Sequence, residues 1–413
     1  MKSHKSIPDR TLEASWKLLG EWEETPNFDL LLTRLRQNDN SEVADMVATL
    51  CRSVFRHRAV IDWTIRKLSS KPPRGRIFRV LRIVATQLMY EKQLPPALIC
   101  DTAVRFCKKK LNKFEASFVN QFLHKLTSGE LPKPPADIAL NLSPALLKQW
   151  RQHFSNEQIG EWAGLLQKPA TMTTRLAYKK TFPESCAAFV EKLDLPEWSA
   201  AWQVFEVKEA KNFIKNKGDD FYIQDPAPLY SHHLLNPKPG EIIGDMCAAP
   251  GGKSLMIAEK LQGEGHLHSC DVSEKRLKVV ETNLAAFSTN VTIRQNDALK
   301  PSFEKESFDG ILLDVPCSNT GVIRRKADVR WSFSAKKLQE LTEMQLGMLK
   351  ANAALIKKGG RLVYSTCSID PQENEQVVEA FLAANDEFEL KESQTLYPCE
   401  KHDGAFGALL IRK

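Results

Sequence analysis

Asp245-Met246-Cys247-Ala248-Ala249-Pro250-Gly251-Gly252-Lys253-Ser254 follows a short β-type run, Ile242–Asp245, and leads into a helical stretch, Ser254–Leu261. Paired glycines at the mouth of a helix let main chain approach a ligand closely, where exposed N–H groups favour a carboxylate or phosphate. The phosphate-cradling pattern G-x-x-x-x-G-K-[ST] requires glycine where this chain has Cys247, and Pro250 stiffens the turn. The dinucleotide pattern G-x-G-x-x-G also fails, because Gly263-Glu264-Gly265 is followed three residues on by His268. These mismatches argue against an ATPase.

Working outward from this loop, further β-type runs at Gly265–Asp271, Val291–Asn296, Phe308–Asp314 and Arg361–Ser365 alternate with helical stretches at Glu274–Phe287, Ala335–Ile356 and Pro371–Asn385. Such alternation predicts an α/β domain with a mostly parallel, doubly wound sheet that binds ligands at the carboxyl ends of its strands. Asp271 closes the second strand, about twenty residues after the glycines, where a carboxylate can accept two ribose hydroxyls. Asp297 and Asp314 close the third and fourth. Taken singly, an aspartate at such a place is ordinarily a cap or turn residue.

The nine cysteines are at 51, 100, 107, 186, 247, 270, 317, 367 and 399, with no C-x-x-C pair. An odd, unclustered set argues against a disulfide framework or a zinc site. Cys100 and Cys107 fall on one helix face and read as core. Asp314-Val315-Pro316-Cys317 and Tyr364-Ser365-Thr366-Cys367-Ser368 differ: each places a cysteine just beyond a strand. If those strands are neighbours, about 4.8 Å apart, both thiols reach one crevice and invite covalent chemistry.

The 413 residues, 42% hydrophobic and 26% charged, suit a globular chain of several domains and exclude a disordered or fibrous one. Residues 1–130 are expected to form a helical domain, 131–236 a linker and accessory region, and 237–413 the α/β domain. The first part carries helical stripes at Val43–Val54, Arg76–Tyr90 and Phe114–Leu126, broken by Pro72-Pro73 and Pro95-Pro96. In the middle stripe Ile77, Val80, Leu81, Val84 and Leu88 form the apolar face, and Arg76, Arg79 and Arg82 are expected outside. Leu131-Pro132-Lys133-Pro134-Pro135 reads as a stiff linker. The accessory region shows helix candidates at Pro144–Phe154 and Glu157–Leu166. A turn-rich run follows around Asp225-Pro226-Ala227-Pro228.

Net charge is +7, but residues 51–110 hold fifteen Lys/Arg against Asp62, Glu91 and Asp101. Such a segment is either a solvated helical face or a surface for a polyanion. Met1–Arg10 carries Lys2, Lys5, Asp9 and Arg10 and no apolar run follows, so no secretory leader or membrane span is expected and the location is expected to be cytoplasmic.

Cys247–Lys253, Asp271, Asp297, Asp-x-Pro-Cys at 314–317 and Thr-Cys-Ser at 366–368 resemble the motifs of the RNA cytosine-5 methyltransferases of the Nop2/Sun class. The likeness spans nearly the whole chain. The helical part, through Asp62, Leu81-Arg82, Gln87-Leu88 and Phe118-Val119-Asn120, is similar to the NusB-like RNA-binding domain of the bacterial Sun/Fmu branch, which methylates 16S rRNA. The resemblance implies a class I, Rossmann-like fold that uses S-adenosylmethionine (S-adenosyl-L-methionine). It implies cofactor contacts from Cys247, Ala248, Ala249, Pro250, Gly251, Gly252, Lys253, Asp271, Arg276, Asp297 and Asp314, with Asp271 on the ribose and Asp297 near the adenine.

By the same resemblance Cys367 is the nucleophile, Cys317 assists product release, and Asp314 contacts the cytosine edge near N3/N4. Asp314 would do so best if it or N3 is protonated. Carbon 5 of cytosine is a poor nucleophile, so a thiolate must first add at carbon 6, and Lys253 or an arginine is a candidate to support that thiolate. The partner is expected to be 16S rRNA or a small-subunit assembly intermediate, with no metal, no membrane and a monomeric enzyme. The target base is expected to leave its stack. Arg324-Arg325-Lys326 and Arg330-Trp331 are expected to hold nearby phosphates while Trp331 packs or stacks.

Some positions depart from the class pattern: Pro228 stands where a small residue is usual, Ala405 where an aromatic is expected, and Asn319 where glycine is usual. Ser41–Met46 lacks a usual basic residue. His232-His233 show no metal spacing and have no assigned role. Two alternatives stay open: a tRNA or other RNA as substrate, and a non-catalytic RNA-binding factor.

Overall fold

The computed structural model describes residues 6–38, 41–73, 75–287 and 290–413. Lys2, Lys5 and Arg74 of the charged segments lie outside the described residues. Packing divides the chain into two compact units, Met1–Lys168 with Ile323–Phe333, and Pro169–Val322 with Ser334–Lys413. The first compact unit thus runs past 130 to 168, and the proline-rich stretch 131–135 lies inside it.

The first unit is helical: α1 (Ile7–Glu24), α2 (Phe28–Asn38), α3 (Ser41–Leu68), α4 (Gly75–Thr86), α5 (Pro96–Lys110), α6 (Lys113–Thr127), α7 (Ala136–Ala139), α8 (Pro144–Trp150) and α9 (Asn156–Leu166). Side-chain caps start several of them; Asn112 accepts from the Glu115 N–H at 2.9 Å, and Ser155 with Gln158 forms a reciprocal box at α9. Their apolar stripes merge into a core that includes Trp22, Val47, Phe55, Ile61, Val84 and Cys107, with Cys100 packed against it.

The basic segment is less available than its composition suggests. Arg66, Lys67, Lys71, Arg76, Lys92, Arg105 and Lys108–Lys110 are exposed. Contrary to expectation, Arg82 is 8% exposed, forking onto Asp62 at 2.7 and 2.8 Å and reaching Glu23 at 2.9 Å. Arg79 is half-buried against Glu23 at 3.1 Å. The reason is helical pitch: six residues advance about 600°, so Arg82 sits about 120° around α4 from Arg76 and turns inward.

The segment Ile323–Phe333, which carries α14 (Val329–Ser332), is part of this helical unit. Arg330 is fully buried and donates to the carbonyls of Arg56 (3.2 Å), Asn141 (3.4 Å) and Leu166 (3.0 Å), the last being an orphan acceptor at the end of α9. Burial pulls its guanidinium down to about 9. Arg324 is 3% exposed, and Trp331 packs on the core with its Nε1–H on the Phe55 carbonyl at 2.7 Å. Arg324 and Arg330 therefore cannot hold phosphates as expected: main-chain acceptors hold Arg330 inside, and Trp331 is a packing residue.

The second unit begins with four strands, β1 (Thr173–Leu176), β2 (Val190–Lys192), β3 (Val204–Val207) and β4 (Phe221–Ile223), with α10 (Ala210–Asn216) between β3 and β4. They form an antiparallel sheet of order β2-β3-β1-β4, which the sequence reading had not resolved. After α11 (Pro228–Leu235), which accommodates Pro228 in its first turn where no N–H is needed, the chain alternates. The order is β5 (Ile242–Asp245), α12 (Gly252–Leu261), β6 (His266–Asp271), α13 (Glu274–Leu284), β7 (Val291–Gln295), β8 (Phe308–Asp314), α15 (Ala335–Ala353), β9 (Ile356–Thr366), α16 (Glu375–Leu382), β10 (Phe388–Leu396) and β11 (Ala405–Arg412).

The seven-stranded sheet has the order β10-β11-β9-β8-β5-β6-β7, with β7, β6, β5, β8 and β9 parallel and β11 antiparallel to both neighbours. The doubly wound expectation holds, and the direction of winding reverses at β5, between β8 and β6. Asp314 is in register with Ser365 across β8 and β9, so Cys317 and Cys367 leave the sheet at the same edge. Among the described residues no helix is long and apolar enough to cross a membrane.

Candidate active site at the carboxyl edge of the sheet

The loop after β5 is held by the strand ends beside it. Ala248 N–H donates to the Cys270 carbonyl at 2.8 Å, and Ala249 N–H reaches Asp271 Oδ2 at 3.3 Å. Asp271 also accepts from Ser273 N–H at 3.0 Å and pairs with Arg276 at 3.4 Å, whose Nη2 caps the Ala249 carbonyl at 2.9 Å. Asn283 holds the Pro250 carbonyl at 2.8 Å. Gly251 has φ 106°, and a Cβ there would lie 3.2 Å from the Val280 Cα, so α12 and α13 meet at a position only glycine fills without strain.

Beneath this loop Asp245 is fully buried. Its Oδ2 accepts from Ser254 at 2.6 Å, and the Cys247 N–H also points at the carboxyl. Burial, reinforced by the Asp314 charge, pushes this carboxyl up to about 7. Burial and the surrounding carboxylates also hold the Cys247 thiol well above its ordinary range. Asp297, after β7, is exposed and its Oδ1 accepts from Leu299 N–H at 2.9 Å.

The second half of the site lies beyond β8 and β9. Cys317 Sγ and Cys367 Sγ are 3.0 Å apart, both partly exposed. Asp314 pairs with Lys253 of the glycine loop and accepts from Ser365 Oγ at 3.1 Å. Lys253, a candidate thiolate partner, is therefore placed on Asp314, which joins the two halves of the site. The contact with Cys367 and then burial raise the Cys317 thiol well above its ordinary value.

Three features of this site carry no sequence signal strong enough to read alone. Glu373, fully buried, accepts from Ser318 N–H at 2.8 Å, from Ser318 Oγ, and from Gln345 Nε2 at 3.0 Å. It thereby grips the residue after Cys317, while Ser318 and Ser368 Oγ, each next to a cysteine, lie 3.2 Å apart. Asn319 bridges both cysteines, its Nδ2 donating to the Cys317 carbonyl at 2.8 Å and its Oδ1 accepting from Cys367 Sγ at 3.3 Å. Gly321 N–H donates to the Cys367 carbonyl at 3.0 Å and its own carbonyl accepts from Gly404 N–H at 2.8 Å. A Cβ on Gly321 would stand 2.5 Å from the Gly404 oxygen, so only glycine permits this approach.

Comparison with known proteins agrees with this arrangement. A family model described as 16S rRNA methyltransferase RsmB/F matches residues 232–407, and one described as the NusB family matches residues 13–128. A Bacillus subtilis (strain 168) protein named probable ribosomal RNA small subunit methyltransferase B is 31% identical, over 93% of this chain and 90% of the relative. The chain belongs to the RsmB/F methyltransferase family. A Shigella sonnei (strain Ss046) protein named ribosomal RNA small subunit methyltransferase B is 29% identical over the full length of both chains.

Among solved structures, PH0851 superposes with a TM-score of 0.78 at 21% identity over 100% of both chains. A methyltransferase homologue from Pyrococcus horikoshii gives 0.53 at 26% identity, over 66% of this chain and 100% of its own. This RsmB/F member is accordingly an RNA methyltransferase that uses S-adenosylmethionine, with a class I fold and an N-terminal NusB-family domain. The donor set fits that cofactor: Asp271, at the end of β6 beside the glycine loop, is placed to accept ribose hydroxyls, and Asp314 at the end of β8 adds a second carboxylate at the same edge, an arrangement that suits a cationic sulfonium bearing hydroxyls better than a polyphosphate.

Proposed function

We propose that the protein methylates carbon 5 of a cytosine in 16S rRNA through a covalent bond between Cys367 and carbon 6 of the base. The observation that carries this reading is the pair of sulfurs 3.0 Å apart beside Asp314, which is itself paired with Lys253 of the glycine loop. Loop residues Cys247–Lys253, with Asp271, Arg276, Asp297 and Asp314, would hold S-adenosylmethionine, which supplies the methyl group. The names of the relatives, ribosomal RNA small subunit methyltransferase B, favour 16S rRNA as substrate.

Cys367, having lost its proton, adds through Sγ to carbon 6, and the electron pair displaced from the 5,6 double bond makes carbon 5 nucleophilic. Asp314 contacts the N3/N4 edge and, when it or N3 carries a proton, offsets the negative charge that builds up there. Once carbon 5 carries the methyl group, its proton leaves, the carbon 6–sulfur bond breaks and the double bond returns. Cys317, touching Cys367, assists that release. The base must be unstacked to reach the thiols, which costs a few kcal/mol and is cheapest in a loop or bulge. Exposed cations of the helical unit, such as Arg66, Lys67, Arg76, Lys108 and Lys109, would bind phosphates of the RNA.

The test mixes the full chain, labelled S-adenosylmethionine and unmethylated small-subunit RNA, with transfer RNA in parallel. Cys367→Ala is expected to abolish incorporation into carbon 5 of cytosine, and Cys317→Ala to leave a protein–RNA adduct on a denaturing gel. Undiminished methylation by Cys367→Ala would refute the assigned nucleophile. Label that enters only transfer RNA would refute the substrate.

A further inference from the structure

We infer that the side-chain amide of Asn319 decides which sulfur of the Cys317–Cys367 pair carries which proton, making it a further residue of the reacting centre. The Cys317 carbonyl can only accept, so the amide atom 2.8 Å away is Nδ2. Oδ1 of the same amide then faces Cys367 Sγ at 3.3 Å, and an amide oxygen can only accept. The single thiol hydrogen of Cys367 is spent on Asn319. The hydrogen in the 3.0 Å sulfur–sulfur contact must therefore belong to Cys317, donated to Cys367 Sγ. The raised Cys317 thiol agrees with its role as that donor.

Two consequences follow for the pair. Before ionisation, Asn319 stabilises the neutral Cys367 thiol, because it accepts from S–H and has nothing to offer a thiolate. After ionisation, the Cys367 thiolate already receives the Cys317 S–H, so Cys317 stays protonated through the attack and can act only later. This order of events rests on the reading of Cys367 as nucleophile and Cys317 as release residue; the hydrogen-bond assignment itself does not.

Asn319 has φ 62°, a left-handed conformation that asparagine tolerates and glycine adopts freely, so a glycine substitution leaves the loop path unchanged. Among the described residues, the titratable or charged groups that face the pair include Glu373 behind Ser318, the buried Tyr364, and Asp314 with Lys253, all of which a change at 319 leaves in place.

The experiment alkylates the full-length protein with iodoacetamide across a pH series, without RNA or methyl donor, and quantifies the Cys367 and Cys317 peptides by mass spectrometry. Asn319→Gly is expected to lower the midpoint for Cys367 alkylation by roughly half to one pH unit, the worth of one neutral hydrogen bond. Asn319→Asp, nearly isosteric, is expected to raise it by about one unit or more, because a carboxylate accepts more strongly and repels the thiolate. Midpoints that stay put, or that move in the same direction in both variants, would overturn the inference. Retained methyl transfer by Cys367→Ala would instead overturn the proposed function, so the two failures are separable.

Discussion

Replacing Glu373 by alanine tests whether one buried carboxylate keeps the cysteine loops in place. The donors that point at it include Ser318 N–H at 2.8 Å, Ser318 O–H, Gln345 Nε2–H at 3.0 Å and the Ser368 hydroxyl. Gln345 keeps the Pro316 carbonyl at 2.9 Å and Ser318 Oγ keeps Ser368 at 3.2 Å, so the Ser318 N–H is the group left stranded. A stranded buried donor costs about 1–3 kcal/mol, and the small cavity adds about 1 kcal/mol, for a loss of about 2–4 kcal/mol. Glu373→Gln keeps an oxygen for Ser318 N–H and Gln345 and lets Ser318 Oγ turn from donor to acceptor, so its loss is under about 1 kcal/mol.

Function is expected to suffer in the same order. A cysteine displaced by about 1 Å loses roughly 100-fold in kcat, whereas the KM for S-adenosylmethionine is expected to hold, since the Ala248–Gly252 loop is untouched. Urea unfolding and steady-state methyl transfer on the same preparations measure both. If Glu373→Ala unfolds within about 0.5 kcal/mol of the parent and keeps its kcat, the carboxylate is not a clamp and the reasoning fails.

Three further variants probe other parts of the molecule. Because the Asp245 carboxyl is raised to about 7 in the folded protein, the native state keeps a proton that the unfolded chain has lost between pH ~4 and ~7. Cofactor-free protein is therefore expected to lose stability as pH rises through that window, by at most about 4 kcal/mol, and Asp245→Asn to flatten the slope; a urea midpoint series showing equal slopes would contradict this. In the helical unit, Arg82→Ala leaves Asp62, which is 9% exposed, with the weaker Arg58 contact at 3.8 Å, and is expected to cost up to about 3–5 kcal/mol. Arg76→Ala is expected to leave the unfolding midpoint unchanged while weakening RNA binding and reducing its salt dependence by about one charge; a stability loss at Arg76 equal to that at Arg82 would mean that pitch does not separate them.

Much of the catalytic unit was legible because its signals are local. Strand runs ended by Asp245, Asp271 and Asp314 and the prolines and glycines that punctuate them come from residues a few positions apart, and the structure keeps them. The two antiparallel strands escaped detection because Phe388–Leu396 is an edge strand with a mostly exposed middle and Ala405–Arg412 is nearly all buried, so neither alternates cleanly. The four small strands are three or four residues long, too short for a period to show.

Arg82 and Arg330 were misplaced for a different reason. Charge predicts exposure on average, but a guanidinium offers five donors and can be buried wherever fixed acceptors converge. Carboxylates 20 and 59 positions away provide them for Arg82, and three main-chain carbonyls for Arg330.

The amino-acid order by itself determined the alternating α/β pattern, the glycine loop that is not a phosphate loop, and the two cysteines just past strand ends. Those features are set by backbone preference and by spacing along the chain. Only the tertiary structure decided that the sulfurs touch, that Asn319 and Glu373 tie their loops together, and that Ile323–Phe333 packs with the helical unit. Hydrogen bonds between residues about 50 or more positions apart depend on strand order and register, which no local run of sequence specifies.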